Sequence, residues 1–180
     1  MRSSLVGSEM CIRDSIGLGP IGQAVATRLK GFGCRVLASN RTLRSVEGIE
    51  LVDRDILLST ADIVSLHTAL TPETSGMIGR RELALMQDGA MLINTARGAL
   101  VDEAALVAEI KSGRLRAGLD VYAEEPLPLA SELRELPGCV LLPHVGSATE
   151  RTRRAMFELA LANLFAGLQG RDLPARLGAA

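Results

Sequence analysis

The hexapeptide Gly17-Leu18-Gly19-Pro20-Ile21-Gly22 decides the fold of this chain. Its first glycine allows a tight turn, its second a close backbone approach to a pyrophosphate, and its third close helix–strand packing. Behind it Ile21, Val25, Leu29 and Phe32 recur at helical spacing, which predicts a helix over 21–32 ended by Gly33. A helix that opens directly from a glycine loop aims its first amide groups at whatever the loop holds, and an anion suits them. The loop reads as a dinucleotide fingerprint, with Gly17, Leu18, Gly19, Pro20, Ile21 and Gly22 as its cofactor contacts.

Such a loop follows a buried parallel strand, normally a near-continuous aliphatic run. Here that slot reads Cys11-Ile12-Arg13-Asp14-Ser15-Ile16. Arg13 and Asp14 face opposite sides of a strand, and burying either charge unpaired costs several kcal/mol or more. Residues 1–15 therefore read as a segment foreign to the domain, and Ser4 to Asp14 is similar to translated adapter sequence. The domain's own sequence is expected to begin near Ile16.

Downstream, strand and helix patterns alternate, which predicts an α/β chain with a doubly wound, mostly parallel sheet. Strands are expected at 34–39, more weakly at 48–52, and at 62–67, 90–94, 117–121 and 139–142. Short helices are expected from Asp53 and over 80–86. Asp102 is placed to cap a helix running to about Ser112, with Val101 and Leu106 as a staple and Gly113 as its stop. Residues 124–138 read as a Pro-rich loop with one helical turn. Ser147 and Glu150 have capping-box spacing for a last long helix, whose stripe Phe157, Leu161, Leu164 and Leu168 reads as packing surface. The domain is drawn over 16–150, with a helix and tail over 151–180.

Composition excludes several function classes. The chain has 180 residues and a net charge of −1, so no basic field exists for nucleic acid or an anionic membrane. Arg151-Thr152-Arg153-Arg154 reads as a solvated helix face. Three cysteines without paired spacing suggest reduced thiols in a cytoplasmic protein, and no metal site is expected. Aromatic residues are only 2% of the chain, so the core must be aliphatic.

Residues suited to chemistry gather at predicted strand ends, where open α/β sheets hold ligands. About 20 residues past the glycines, an NAD site usually offers a carboxylate to the ribose. This chain offers Ser39-Asn40-Arg41-Thr42. With no carboxylate to repel a 2′-phosphate and with Arg41 to pair with it, NADP(H) is favoured and NAD(H) remains possible. His67 ends a strand and reads as lining of the cofactor cleft. Arg97, after Asn94-Thr95-Ala96, presents a fork that can bind a carboxylate and polarise an adjacent carbonyl. His144 in Pro143-His144-Val145-Gly146-Ser147-Ala148-Thr149 suits proton transfer near neutral pH. Glu125, before Pro126, could hydrogen-bond His144 and keep the ring protonated. Asp120 is placed to meet a carboxamide.

Taken together, these runs resemble the D-isomer-specific 2-hydroxyacid dehydrogenases. The carriers are the glycine loop, His67-Thr68-Ala69-Leu70-Thr71-Pro72-Glu73-Thr74, Asn94-Thr95-Ala96-Arg97-Gly98, Gly118-Leu119-Asp120-Val121, Glu125-Pro126 and the run from Pro143 to Thr149. Asn40-Arg41 and the ending Asn163-Leu164-Phe165-Ala166-Gly167-Leu168 are similar to the glyoxylate/hydroxypyruvate reductase branch. The resemblance implies a Rossmann-like NAD(P)-binding domain. It implies that Arg97 binds a 2-oxo acid and that Glu125 orients His144. His144 then protonates the carbonyl oxygen as hydride arrives from the nicotinamide. Ala69, Thr95, Ala96, Asp120 and Gly146 would line the cofactor. It also implies a homodimer and a substrate domain built mostly from sequence ahead of the glycine loop, which this chain largely lacks. Two alternatives stand beside it: a catalytically silent dinucleotide-binding module, and a corepressor-like binding protein.

Overall fold

A computed structural model describes residues 12–40 and 46–176, and of residues 12–14 the backbone alone. The chain divides into two compact units, the first ending at Pro143 and the second beginning at His144.

The first unit is built on seven strands: β1 (Ile12–Ile16), β2 (Arg35–Ser39), β3 (Glu50–Leu51), β4 (Ile63–Leu66), β5 (Met91–Asn94), β6 (Arg116–Leu119) and β7 (Cys139–Leu141). Their order is β3-β2-β1-β4-β5-β6-β7, and each pairing is parallel. Strand order reverses between β1 and β4, the switch point at which open α/β sheets bind ligands. This is the doubly wound, Rossmann-like sheet that the alternating patterns predict.

β1 occupies the slot in front of the glycine loop, at the centre of the sheet. Its backbone pairs Arg13 with Val36 and Ile63, and Asp14 with Leu37 and Val64. The strand therefore starts ahead of Ile16 and runs through both charged positions.

Four helices connect the strands of this unit: α1 (Pro20–Lys30), α2 (Arg54–Thr60), α3 (Arg80–Leu85) and α4 (Glu103–Lys111). The core lies between one face of the sheet and the side chains of α2, α3 and α4. Leu57, Leu58, Leu66, Leu83, Leu92 and Leu106 are all buried there. Each such side chain contributes roughly 1.5–3 kcal/mol by leaving water. β4 and β5 alternate buried and half-buried residues, because α1 packs on β1 and β2. The expectation of a fully buried strand at 62–67 thus holds for Val64 and Leu66 but not for Ile63 and Ser65.

Helix α1 corrects the sequence reading of its buried face. It ends at Lys30 with Gly31 as cap, so Phe32 lies past the helix and is 76% exposed. Ile21 is exposed as well, while Gly22 and Ala26 are the residues turned to the sheet. The third loop glycine sets that orientation: it lies against the loop and rotates the small-residue face inward.

Caps follow the side chains that can reach an amide. Asp102 caps α4 by accepting from the Ala105 N–H at 3.0 Å, as expected, and Asp53 caps α2 by accepting from Asp55. In the second unit α5 (Glu150–Leu168) is capped by Thr149, whose hydroxyl accepts from the Thr152 N–H at 3.2 Å, and not by Ser147. Glu150 is therefore the first helical residue, too early in the helix for a capping box. Phe157, Leu164 and Leu168 of α5 are exposed, so their stripe meets solvent among the described residues. No helix of the described residues is long and apolar enough to cross a membrane.

Candidate functional site

The glycine loop is closed by backbone contacts that tolerate no side chain. Gly17 has φ +99°, and a Cβ there would lie 2.8 Å from the His67 carbonyl oxygen. A Cβ on Gly22 would lie 2.1 Å from the Gly17 carbonyl oxygen. That same oxygen accepts from the buried Ser15 hydroxyl at 2.9 Å, and the Gly17 N–H donates to Ser39 at 3.0 Å. Gly19 differs from both, since a Cβ there would meet nothing within 4 Å. It also stands at the N-cap of α1 without a side-chain cap bond, ahead of Pro20. First-turn amides have no acceptor inside their own helix. An open approach at Gly19 beside those donors fits a dinucleotide pyrophosphate.

A cleft of about 950 Å³ opens from this loop and is lined also by Asn40, His67 and Ala69, three of the expected cofactor residues. The Asn40 side-chain oxygen accepts from the Leu18 N–H at 3.3 Å, so the residue expected near a ribose also steadies the loop. Leu18 itself is buried, and its carbonyl accepts from the Gln23 side chain at 2.8 Å. Arg41 and Thr42 lie outside the described residues. The His67 ring nitrogen Nε2 sits 2.9 Å from the Ser65 hydroxyl. Burial pulls its pKa below the ordinary histidine value, which keeps the ring neutral at neutral pH. The Ala69 carbonyl accepts from Thr74 at 2.7 Å, which folds the following loop back. Asp55 and Arg81 line the cleft as well and are ion-paired, and the guanidinium holds the Asp55 carboxyl below the usual carboxylate range. No periodic signal marks this pair in advance, because it meets only where α2 and α3 pack side by side.

The next strand ends carry the other expected residues. Asn94, 1% exposed at the end of β5, accepts from the Ala96 N–H at 3.0 Å and donates to the Arg97 carbonyl at 2.9 Å. One buried amide thereby clips the turn Thr95-Ala96-Arg97. Arg97 is exposed and donates to its neighbour's carbonyl, Ala96, at 2.6 Å. Gly98 follows flush against another segment: a Cβ there would lie 1.8 Å from the Tyr122 carbonyl oxygen. Asp120, 2% exposed just past β6, donates its N–H to Asn94 at 3.0 Å. Glu125 is exposed, precedes Pro126 through a cis peptide bond, and accepts from the Tyr122 N–H at 3.1 Å. Tyr122 is buried, and burial pushes its phenol above the ordinary value.

His144 and Gly146 open the second unit, His144 with φ +55° and both exposed. His144 comes three residues after β7 ends at Leu141. Asn94, Gly98 and Tyr122 are the positioning residues that reading the motifs for reactive groups passes over. A buried Asn at a strand end, and a Gly directly after Arg97, are the signals that mark two of them.

A family model described as the D-isomer specific 2-hydroxyacid dehydrogenase, NAD binding domain, matches residues 2–146. Glyoxylate reductase of Thermococcus litoralis is 47% identical over 167 residues, covering 90% of this chain and 50% of its own length. The human glyoxylate reductase/hydroxypyruvate reductase is 43% identical over 168 residues, covering 90% of this chain and 51% of its own. A crystal structure of a Thermus thermophilus protein superposes with a TM-score of 0.91 at 46% identity, covering 94% of this chain and 54% of that one. The chain spans about half the length of the curated relatives it matches.

Proposed function

The chain belongs to the D-isomer-specific 2-hydroxyacid dehydrogenases, whose NAD-binding domain it carries, and from that premise we propose that it serves the reduction of a small 2-oxo acid to the D-2-hydroxy acid. Glyoxylate and hydroxypyruvate are the favoured substrates, since the relatives above are named for them. In this reading the chain holds the dinucleotide-binding part of a cytoplasmic, homodimeric protein completed by a substrate domain.

One observation carries the reading: Arg97, Glu125 and His144 each follow one of three neighbouring parallel strands, β5, β6 and β7, with the glycine loop following β1 in the same sheet. When bound, the dinucleotide supplies the hydride to the carbonyl carbon. Arg97 pairs with the substrate carboxylate and polarises the carbonyl beside it. His144 gives a proton to the carbonyl oxygen. Glu125 holds the imidazole in orientation and favours its charged form. Thr95, Ala96, Asp120 and Gly146 would line the cofactor. NADP(H) is preferred over NAD(H), because Asn40 replaces the usual acid and Arg41 is its neighbour.

Oxidation of NADPH in the presence of glyoxylate or hydroxypyruvate tests this. Turnover of roughly 1 per second or faster is expected from a form that includes a substrate domain. Residues 1–180, which span about half the length of the relatives above, should fall well short on their own. A complete protein that binds NADPH yet reduces no 2-oxo acid would reduce the chain to a binding module.

A further inference from the structure

The chain has a single tyrosine, and three segments meet on it. Its phenol donates to the Leu142 carbonyl at 2.7 Å and lies 3.2 Å from the Leu119 carbonyl. The Leu142 N–H donates to that same Leu119 oxygen at 2.9 Å. Leu142 is thus clamped through both of its backbone groups just past β7, and His144 follows it by two residues. The Tyr122 N–H donates to Glu125 Oε1 at 3.1 Å. Its carbonyl lies so close to Gly98 that a Cβ there would be 1.8 Å away, and the next amide, Ala123 N, would be 2.6 Å from it. Glu103 of α4 accepts from that Ala123 N–H at 3.1 Å, which ties the same peptide to the helix after the Arg97 turn.

Packing alone does not call for a tyrosine here. A phenylalanine or leucine would fill the buried volume, but neither could donate to the Leu142 carbonyl as the phenol does. We propose that Tyr122 is a positioning residue that holds three segments in one frame: the Arg97 turn, the Glu125 carboxylate and the strand end from which His144 departs. The proposal rests on the roles given above to those three residues. Tyr122 touches neither cofactor nor substrate in it and acts through its neighbours. Each of its groups serves one segment: the carbonyl meets Gly98, the N–H meets Glu125, and the phenol meets Leu142. Removing the hydroxyl alone takes away one of the two backbone clamps on Leu142, leaving its N–H bond to Leu119 and the other two segments in place.

The chain has two histidines, so labelling the ring Cε1 of each gives two resonances to assign. Proton–carbon spectra of the 180-residue chain are compared with those of Tyr122→Phe at one pH, with His67 as an internal reference. His67 is fixed by Ser65 and by the β1 end, where its N–H donates to Ile16 at 2.8 Å, and owes nothing to the phenol. The expected result is a His144 resonance that shifts or splits, a His67 resonance that stays, and unchanged NADPH affinity. A His144 resonance that does not move overturns the proposal. Movement of both resonances also overturns it, since that marks a general loss of structure. The readout needs no turnover, so the 2-oxo acid assay succeeds or fails separately.

Discussion

The two halves of the sheet's ligand-binding edge are built on different principles. Around β1, β2 and β4 the candidate site is shaped chiefly by the backbone of the glycine loop. Gly17, Gly19 and Gly22 shape the loop, and Asn40 and His67 are partly occupied with holding it. Around β5, β6 and β7 the reactive side chains Arg97 and Glu125 are exposed, and buried neighbours fix the turns that carry them. A single methyl group on Gly17 or Gly22 would disturb the shape of the first half. The second can lose its chemistry while keeping its fold. Binding and catalysis should therefore separate under mutation.

The sharpest break of that comparison comes from the catalytic half. In a form that includes a substrate domain, His144→Gln should lower turnover by about 10²- to 10⁴-fold, the usual worth of a placed acid. Cofactor affinity should barely change. A parallel loss of NADPH binding, measured by fluorescence titration, would mean that the two halves are not independent.

The converse substitution is Gly22→Ala. Its methyl group would press on the Gly17 carbonyl, and overpacking of this kind costs about 1–3 kcal/mol or more. Thermal melting should show the loss, together with weakened binding of either dinucleotide. A variant that melts and binds like the parent would contradict the close approach.

A smaller effect sharpens the first half further. Asn40→Asp keeps the oxygen that accepts from Leu18 and adds a charge beside the ribose. The preference for NADPH should reverse, with an effect on the order of 1.4 kcal/mol, or tenfold. Titration of the variant with both dinucleotides checks it.

The smallest effect is a pH dependence from His67. Its folded pKa is depressed by burial below the unfolded value of 6.5. Between the two values the unfolded chain binds more protons, so stability rises with pH there. The contribution is complete above about pH 6.5 and is lost as pH falls through that window. Melting curves should show it, and His67→Gln should remove that part of the acid sensitivity. An unaltered profile would place the titrating group elsewhere.

What could be read in advance follows the same division. The glycine loop, the alternating strands and the three reactive runs were legible because each depends on local chain order. The buried face of α1 was not, because Gly22 meeting Gly17 outweighs the larger side chains Ile21 and Phe32. The cap of α5 was misread because Ser147 and Thr149 both precede Glu150 at plausible spacing. The contacts of Tyr122 with Gly98 and Leu142 were invisible, since these segments come together only through the pairing of β5, β6 and β7. The backbone pairing of Arg13 and Asp14 at the centre of the sheet runs against their charge, one of the two grounds for expecting the domain to begin near Ile16.

The contrast between the two halves requires that the glycine-loop cleft hold NADP(H). Fluorescence titration of the 180-residue chain with NADPH and with NADH measures it. Saturable binding with NADPH the tighter ligand is the predicted result. Equal or tighter NADH binding would contradict the reading of Asn40 and Arg41, and no saturable binding of either would contradict the site itself.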